Sequence, residues 1–399
     1  MERYTHIQKN FLCLGRRHRG VITAVALASS LAAAPAYAAD LSMPGPMTMD
    51  MSGQGASMDM NGQSMDGMDH AAIPAGVYGA GMVGAGHFMF SYTPSYMRME
   101  DNYIGSSIVS PDTIATTVKL PMPMMMMGMT FDTYRIVPTS MDMQMHMFHA
   151  MYGVTDWLNI MVMGAYDLKS MTMLTYKGAM GDTALGSTTN RTSGFGDTSV
   201  MSLWRVYKDP INEVHINVGL SLPTGSTTET MNMLMPMGTY MTMRANYGMQ
   251  LGTGTVDLLP GVTYLGHIAQ WSWGAIYRGR LALGDNTEGY EYGYRQEISG
   301  WAGYRWIPGV TSTFRVQGEV DDRIHGADPQ IMGLMQGSNP YFYGGQRINL
   351  LGGLEVSGAP FGLQHVSLAI EGGAPVYQNL NGPQLGEAWQ LTGALHVGF

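Results

Sequence analysis

Repeated segments of about 10–13 residues, in which apolar and polar side chains alternate, constrain the fold of this chain more than any other feature. In the last of them, 388–399, every second residue from Trp389 to Phe399 is apolar or glycine, and the residues between are polar or small. Such alternation is typical of β-strands with one apolar face. The strands predicted in this way are 84–92, 141–152, 157–166, 196–207, 213–222, 256–266, 271–283, 295–306, 311–320, 347–357, 364–374 and 388–399.

The connections between these strands alternate in length. Those predicted to be short turns are 153–156, 208–212, 267–270, 307–310 and 358–363. Those predicted to be long loops are 93–140, 167–195, 223–255, 284–294, 321–346 and 375–387. Membrane barrels have short turns at one end and long loops at the other, a pattern that a soluble sandwich does not require. An all-β chain can span lipid only if its sheet closes, so we predict a closed antiparallel transmembrane β-barrel of about 12 strands.

The chain before the first strand divides into two segments. A basic flank precedes an apolar run over 21–34, which is too short to span a bilayer as a helix, and an A-x-A cleavage motif ends at Ala38. The residues that follow are rich in Met, Asp, Gly and His, with too little branched or aromatic surface to offset the entropy of ordering. We therefore predict a signal peptide (1–38), a disordered tail (39–77) and an outer-membrane barrel (78–399).

Composition excludes several classes of function. Charged residues make up 13% of the chain, about half the usual share for a soluble protein. Cys13 lies in the predicted signal, so we expect neither a disulfide nor a thiolate metal site in the exported chain. Loss of the signal, with five basic residues and one acidic residue, moves the net charge from −9 to −13, which argues against nucleic acid as a partner. No nucleotide, zinc or Ser/His catalytic signature is present, and we do not expect an enzyme.

Closure of the barrel decides which face of each strand meets lipid. In 213–222 the apolar residues from Val214 to Leu222 are predicted to face lipid, and the alternate residues, His215 among them, to face the lumen. A charge on the lipid face at the bilayer midplane would cost about 2–4 kcal/mol. By this rule the predicted lumen residues include Arg278, Arg280, Arg295, Glu297, Arg305, Arg315, Glu319, Glu355 and Glu371. This mixed set fits a rigid, salt-bridged interior as well as a polar pore.

Several short motifs resemble the outer-membrane family named for meta-pathway phenol degradation. The motifs are Met151-Tyr-Gly-Val-Thr-Asp-Trp157, Gly194-Phe-Gly-Asp-Thr198, Leu222-Pro-Thr-Gly225, Leu251-Gly-Thr-Gly-Thr-Val-Asp-Leu-Leu-Pro-Gly261 and Val376-Tyr-Gln-Asn-Leu-Asn-Gly-Pro-Gln-Leu385. They extend over nearly the whole predicted barrel. The resemblance implies an outer-membrane barrel of the transporter type but no particular substrate, since these motifs lie at turns and strand ends.

The 39 methionines are the second unusual feature of the sequence. In 141–147 they alternate with Asp142, Gln144 and His146; the polar residues are predicted to face the lumen and the methionines to face lipid as ordinary apolar residues. Met161 and Met163 are predicted to point inward with Asn159.

The methionines of the tail and of the long loops are predicted to lie in water, where packing does not explain them. Thioethers prefer Cu(I), and the tail resembles the Met/Asp/His-rich leaders of copper-resistance proteins. The candidate copper ligands are Met47, Met49, Met51, Met58, Met60, Met65, Met68, His70, Met231, Met233, Met235 and Met237. Compositional bias without a ligand remains the alternative.

These observations predict a bacterial outer-membrane protein that passively transports small solutes and has a link to copper handling. No cofactor is required, although a copper ion is a candidate ligand. The expected partners are outer-membrane lipids, the barrel-assembly machinery during insertion, and small solutes or copper ions. The alternative is a non-conducting structural or copper-sequestering protein of the same membrane.

Overall fold

The computed structural model describes residues 72–363 and 365–399, which all lie in one compact unit, 62–399. The predicted signal and most of the predicted tail lie outside the described residues. The strands are β1 (Phe88–Gly105), β2 (Ser107–Val109), β3 (Lys119–Met126), β4 (Met129–Thr133), β5 (Ile136–Thr155), β6 (Leu158–Tyr176), β7 (Ala184–Phe195), β8 (Thr198–Lys208), β9 (Asn212–Leu222), β10 (Thr230–Leu234), β11 (Tyr240–Arg244), β12 (Asp257–Ile268), β13 (Trp271–Ala282), β14 (Tyr290–Glu291), β15 (Arg295–Ile307), β16 (Val310–Asp321), β17 (His325–Gly326), β18 (Gly345–Ser357) and β19 (Val366–Gly398). The helices are α1 (Pro111–Thr117) and the short 3-10 turns Tyr247–Met249, Gln336–Ser338, Pro340–Phe342 and Ala359–Phe361.

The long strands close into an antiparallel barrel. In the described part of the chain its wall runs in the order β1, β5, β6, β8, β9, β12, β13, β15, β16, β18 and β19, and β19 pairs back with β1. The last element passes through the wall twice: residues 367–380 pair with β18, and residues from Leu380 to Gly398 pair with β1. Side-chain hydrogen bonds between Gln378 and the backbone of Glu387 join the two passes. All twelve predicted strands are therefore present and the predicted barrel is confirmed.

The outer surface of the wall is apolar over a band next to the short turns. On β9 Ile216, Val218 and Leu220 are exposed, whereas His215 and Asn217 are buried, as predicted. Exposed Trp157, Trp204, Trp271 and Trp306 mark one edge of the band, at the short turns. At the other edge the ring pairs are Tyr96–Trp389, 5.0 Å apart, and Tyr166–Phe195, 5.2 Å apart. An apolar band between aromatic girdles on a closed barrel is the surface of an outer-membrane protein, and this is where the protein resides.

Residues 72–87 lie inside the barrel rather than in a tail; we call this segment the plug. Its first residue, Ala72, accepts a hydrogen bond from Trp301 Nε1 at 3.0 Å, and its middle, Gly79, accepts one from His215 Nε2 at 3.1 Å. The predicted tail (39–77) therefore extends too far at its C-terminal end, because 72–77 are packed in the lumen. The plug ends near the short turns, because β1 starts there at Phe88. It also begins near them, because the Ile73 backbone bonds to Glu355, two residues before the end of β18.

The plug meets the wall at a backbone contact that requires glycine. A Cβ on Gly153, at the end of β5, would collide with the carbonyl oxygen of Gly84 in the plug. Gly153 N also donates to His87 O at 3.0 Å, and Gly86 N donates to Gly153 O at 2.8 Å. This close approach holds the plug against β5.

Replacing Gly153 with alanine is expected to destabilise the barrel by about 1–3 kcal/mol, because the added methyl group must displace backbone. The measurement is urea unfolding of the refolded protein in detergent micelles. Gly164→Ala is the matched control, since nothing lies within 4 Å of a Cβ at that position. Equal unfolding midpoints for the two variants would show that the close contact is not rigid.

At the end opposite the short turns, the strands continue beyond the membrane and the long loops fold over the lumen. We call this outer layer the cap. It contains α1, three two-stranded sheets (β3 with β4, β10 with β11, and β14 with β17) and the 3-10 turns between 247 and 342. Much of the predicted loops 93–140 and 167–195 is strand, since β1, β5, β6 and β7 extend into the cap. None of the described helices is long and apolar enough to cross a membrane.

Candidate functional site

The methionines of β5 face the lumen, so the predicted orientation of this strand was wrong. Met141, Met143, Met145 and Met147 line the internal cavity together with His149. The outer face of the same strand instead carries exposed Phe148, Tyr152 and Val154 in the membrane band, followed by the polar residues.

The polar residues of β5 have partners on the outside of the barrel. Asp142 accepts hydrogen bonds from Tyr96 at 2.5 Å and from Arg98 at 2.6 Å, and His146 is bonded to the Tyr92 hydroxyl at 2.7 Å. Asp142 pairs in register with Arg98, beyond the Tyr96–Trp389 edge of the band, and His146 pairs with Pro94 at that edge. At this height polarity does not indicate the lumen. The residues nearest the turn at Thr155, Val154, Tyr152 and Phe148, are apolar and face lipid. Continuing their alternation along the strand would have given the correct orientation.

The inward methionines of β1, β5, β6 and β8 form one side of the lumen, which we call the thioether wall. Strand register brings them together in rows. The upper row contains Met99, Met141 and Met171, and the lower row contains Met89, Met151, Met161 and Met201. Between the two rows, Met143, Met145, Met147 and His149 of β5 each add one inward position to the wall. Cross-strand neighbours lie about 5 Å apart, so their flexible side chains are in contact.

The prediction that Met161 and Met163 point inward with Asn159 is confirmed by burial and register. Met161 is 1% exposed and Asn159 is fully buried. The Asn159 amide donates to the Met151 sulfur at 3.3 Å, and Met163 lines the cavity. This lower part of the thioether wall packs on Met82 and Val83 of the plug.

The cap continues the thioether wall upward. Met231, Met233 and Met235, predicted to be copper ligands in water, are instead buried at 2%, 1% and 0% exposure. They pack with Met141, Met171, Met173, Met249 and Met335, and Met237 packs against this cluster from its edge. These loop methionines are therefore packed in an apolar cluster rather than exposed to water, which the sequence alone did not indicate, and their role as copper ligands stays a prediction.

One buried amide organises the junction between cap and wall. Asn246 Nδ2 lies 3.5 Å from the Met171 sulfur and 3.6 Å from the Met335 sulfur, which brings a wall thioether and a cap thioether around one point. Its Oδ1 accepts the backbone N–H of Met249 at 3.1 Å. Asn246 was not singled out from the sequence, because only the fold brings these three methionines to it.

The opposite side of the lumen is charged, and we call it the ionic wall. Arg278 pairs with Glu297 at 2.5 Å, Arg295 with Glu319 at 2.9 Å, and Arg315 with Glu371 at 2.8 Å. Arg280 pairs with Asp257 at 2.5 Å and Glu355 hydrogen-bonds to the plug backbone at Ile73. Arg305 lies at the short-turn end and donates to Ala269 O at 3.1 Å. The predicted lumen residues thus lie on the inward positions of their strands.

A cavity of about 570 Å³ separates the two walls. Tyr78 of the plug lies at its floor, and its ring packs under the Arg278 guanidinium, 4.0 Å from the ring centroid. Asp167, Lys169 and Asp197 add two carboxylates and one ammonium group to its lining. The cavity is therefore bounded by thioethers on one side, ion pairs on the other, the cap above and the plug below.

Within 72–363 and 365–399, no group of three or more His, Cys, Asp or Glu side chains is placed to hold a metal ion. The predicted copper ligands from Met47 to His70 lie outside the described residues, and their role stays a prediction.

No family model and no curated protein matches this chain. Membership of the family suggested by the sequence motifs therefore stays a prediction. Solved structures that resemble the chain include an outer membrane channel from Pseudomonas putida F1, with 12% identity, a TM-score of 0.49, and coverage of 84% of this chain and 100% of that one. A Pseudomonas putida toluene transporter has 9% identity, a TM-score of 0.38, and coverage of 79% and 90%.

The transport unit of an Escherichia coli autotransporter resembles the chain to a similar degree, with 7% identity, a TM-score of 0.39, and coverage of 85% and 92%. Similarity of this degree says nothing about what crosses the barrel. That question has to be answered from the side chains of the lumen.

Proposed function

We propose that this protein is an outer-membrane channel for small solutes, closed from the periplasmic side by its own plug. The observation that carries the proposal is the cavity of about 570 Å³ between the thioether wall and the ionic wall. A barrel that served only as a structural element would be expected to fill this space with side chains. Instead the lumen below the cavity is occupied by a separate segment, 72–87, rather than by side chains of the wall.

The contacts of the plug suit a movable element. Its backbone is joined to the wall by hydrogen bonds from Trp301 to Ala72, from Gly76 to Glu371 and from His215 and Asn217 to Gly79, and by those between Gly153 and the end of the plug. Plug residues occur in none of the strand pairings of the barrel wall. The plug can therefore leave the lumen without breaking the ladder that closes the barrel.

Deletion of 72–87 is expected to raise the rate at which small sugars and amino acids enter proteoliposomes at least about tenfold, because the floor of the cavity is removed. Liposome swelling and planar-bilayer conductance measure the change. The join is feasible because the deleted segment starts and ends at the same end of the barrel.

Two tryptophan variants of the plug-free barrel locate the pathway. Ala165→Trp places an indole in the cavity, since Ala165 lines it, and should restore low flux. Ala150→Trp places the same group on the lipid face and should leave flux unchanged. A plug-free barrel without flux for any small solute would favour the alternative, a non-conducting structural or sequestering protein.

A further inference from the structure

Every methionine in the four strands of the thioether wall faces inward. In β1, β5, β6 and β8 the methionines occupy odd-numbered positions only: Met89, Met97, Met99, Met141, Met143, Met145, Met147, Met151, Met161, Met163, Met171, Met173 and Met201. The outward apolar positions of the same strands carry Phe, Tyr, Val, Ile, Leu and Trp. If methionine served here as a general apolar residue, the lipid face would also contain it. The restriction of methionine to inward positions therefore indicates that the thioether group has a role in the lumen.

We propose that the thioether wall binds soft monovalent cations, Cu(I) or Ag(I), within the lumen. The proposal rests on the proposed function, because it names the class of solute that this passage selects. Neutral thioethers are preferred ligands of Cu(I) and poor ligands of hard cations such as Mg²⁺ or Ca²⁺. The ligands concerned are those of the barrel itself, not those predicted in the tail.

The first place where ligands converge is the junction with the cap. The Met171 and Met335 sulfurs both lie at hydrogen-bond distance from one amide nitrogen, Asn246 Nδ2. Met249 is fully buried in the same cluster. One thioether of the wall and one of the cap are thus held around one point, with Met249 in the same cluster, and rotation of flexible Met side chains is enough to direct them to an ion.

The second place is halfway down the wall, at His149. This residue is 4% exposed, and its Nε2 has no hydrogen-bond partner among the described residues. It lines the cavity, with Met163 beside it on β6 and Met147 two residues before it on its own strand. A buried imidazole nitrogen without a partner is unfavourable unless a ligand completes it, and imidazole joins thioether in copper sites.

The charge of the neighbouring groups also favours a cation. Asp167 and Asp197 line the cavity on the thioether side, and the Lys169 ammonium there is engaged with the Gln250 carbonyl at 2.5 Å. The arginines of the opposite wall are already paired with carboxylates. Asp197 pairs with Arg280 at 3.4 Å, whereas Asp167 Oδ1 has no hydrogen-bond partner among the described residues. A monovalent cation that enters from the cap therefore meets neutral sulfur ligands and the Asp167 carboxylate.

The test is Ag(I) binding to the full-length exported chain in detergent, in chloride-free buffer, measured by equilibrium dialysis with mass-spectrometric metal analysis. The reference chain carries leucine at Met47, Met49, Met51, Met58, Met60, Met65 and Met68, so that the tail does not mask the barrel. Into it are introduced the lumen substitutions Met143→Leu, Met145→Leu, Met147→Leu and Met163→Leu around His149, together with Met171→Leu and Met335→Leu at the junction with the cap. Leucine keeps the volume and removes the sulfur.

The matched control carries four substitutions at exposed methionines of the cap: Met122→Leu, Met125→Leu, Met127→Leu and Met180→Leu. The reference chain and the control are expected to bind Ag(I) equally, and the lumen variant at least about tenfold more weakly. Zn(II) should show no difference between the variants, because it prefers other ligands. Equal Ag(I) affinity of the lumen variant and the control, or no binding by the reference chain, overturns the proposal.

If the lumen variant does not fold, methionine-methyl NMR of the reference chain replaces it. Addition of Ag(I) should shift the methyl resonances of Met143, Met145 and Met147 and leave those of Met122 and Met125 in place, and the reverse result overturns the proposal. Binding at equilibrium requires no flux. Failure of the swelling assay and failure of the titration are therefore separate results, and each counts against its own claim.

Discussion

Replacement of Arg315 by methionine is expected to lower the free energy of unfolding of the barrel by about 3–5 kcal/mol, because it leaves a buried carboxylate without its partner. Arg315 is 2% exposed and Glu371 is 1% exposed. Two hydrogen bonds of 2.9 and 2.8 Å join the guanidinium to the carboxylate. The same carboxylate accepts the backbone N–H of Gly76 at 3.0 Å, so the ion pair also anchors the plug.

The matched variant replaces both partners, Arg315→Met together with Glu371→Leu. Without an uncompensated charge it should recover at least about 2 kcal/mol of the loss in urea unfolding. The double variant removes the Glu371 acceptor of the Gly76 N–H, and the single variant removes the guanidinium that fixes the orientation of that carboxylate. Amide hydrogen exchange over 74–82 should therefore become faster in both. A single variant as stable as the double one would show that water reaches Glu371 and that the pair is not buried in solution.

Replacement of Arg135 by methionine is expected to open the cap without unfolding the barrel. The side chain is fully buried and donates to the carbonyls of Ala115 at 2.9 Å, Gly178 at 3.0 Å and Lys177 at 3.2 Å. Burial lowers the pKa of this guanidinium, which nevertheless stays charged near neutral pH because its ordinary pKa exceeds about 12. Loss of these charge-assisted bonds should destabilise the contact between α1 and the loop after β6 by about 2–4 kcal/mol. The effect should be confined to this part of the cap.

Limited trypsin digestion of intact proteoliposomes measures this opening, with cleavage after Lys177 as the readout. Arg135→Lys is the control: it keeps the charge but cannot reach three carbonyls at once, and should give intermediate cleavage. The unfolding midpoint of the barrel should change little in either variant. Cleavage of the methionine variant at the rate of the unmodified protein would contradict the role of Arg135 as the centre of the cap.

The barrel itself was predictable from local pattern. On β9 and β16, alternation alone assigned Ile216 and Val316 to lipid and His215 and Arg315 to the lumen, because side chains of a strand point to opposite faces and only one face meets lipid. The lengths of the connections gave the two ends of the barrel. Each of these signals lies within one strand or one turn.

The orientation of β5 shows where pattern fails. Asp142 and His146 alternate with methionines, and polarity assigned them to the lumen, yet they bond to Arg98 and Tyr92 outside the barrel. The strand extends beyond the lipid, and above the membrane both faces tolerate polar residues. Its position relative to the bilayer is a property of the whole barrel that a single strand does not report.

The sequence by itself determined the strands, their alternating connections and the charged inner face, since each follows from periodicity along the chain. Only the tertiary structure decided that 72–87 enter the lumen, that Asn246 gathers thioethers from wall and cap, and that the methionines of four strands form one surface. These features join residues far apart in the chain, such as Gly76 with Glu371, and depend on barrel closure and register. Alternation along a strand shows which side chains share a face. Only closure of the barrel decides which residues lie opposite that face across the lumen.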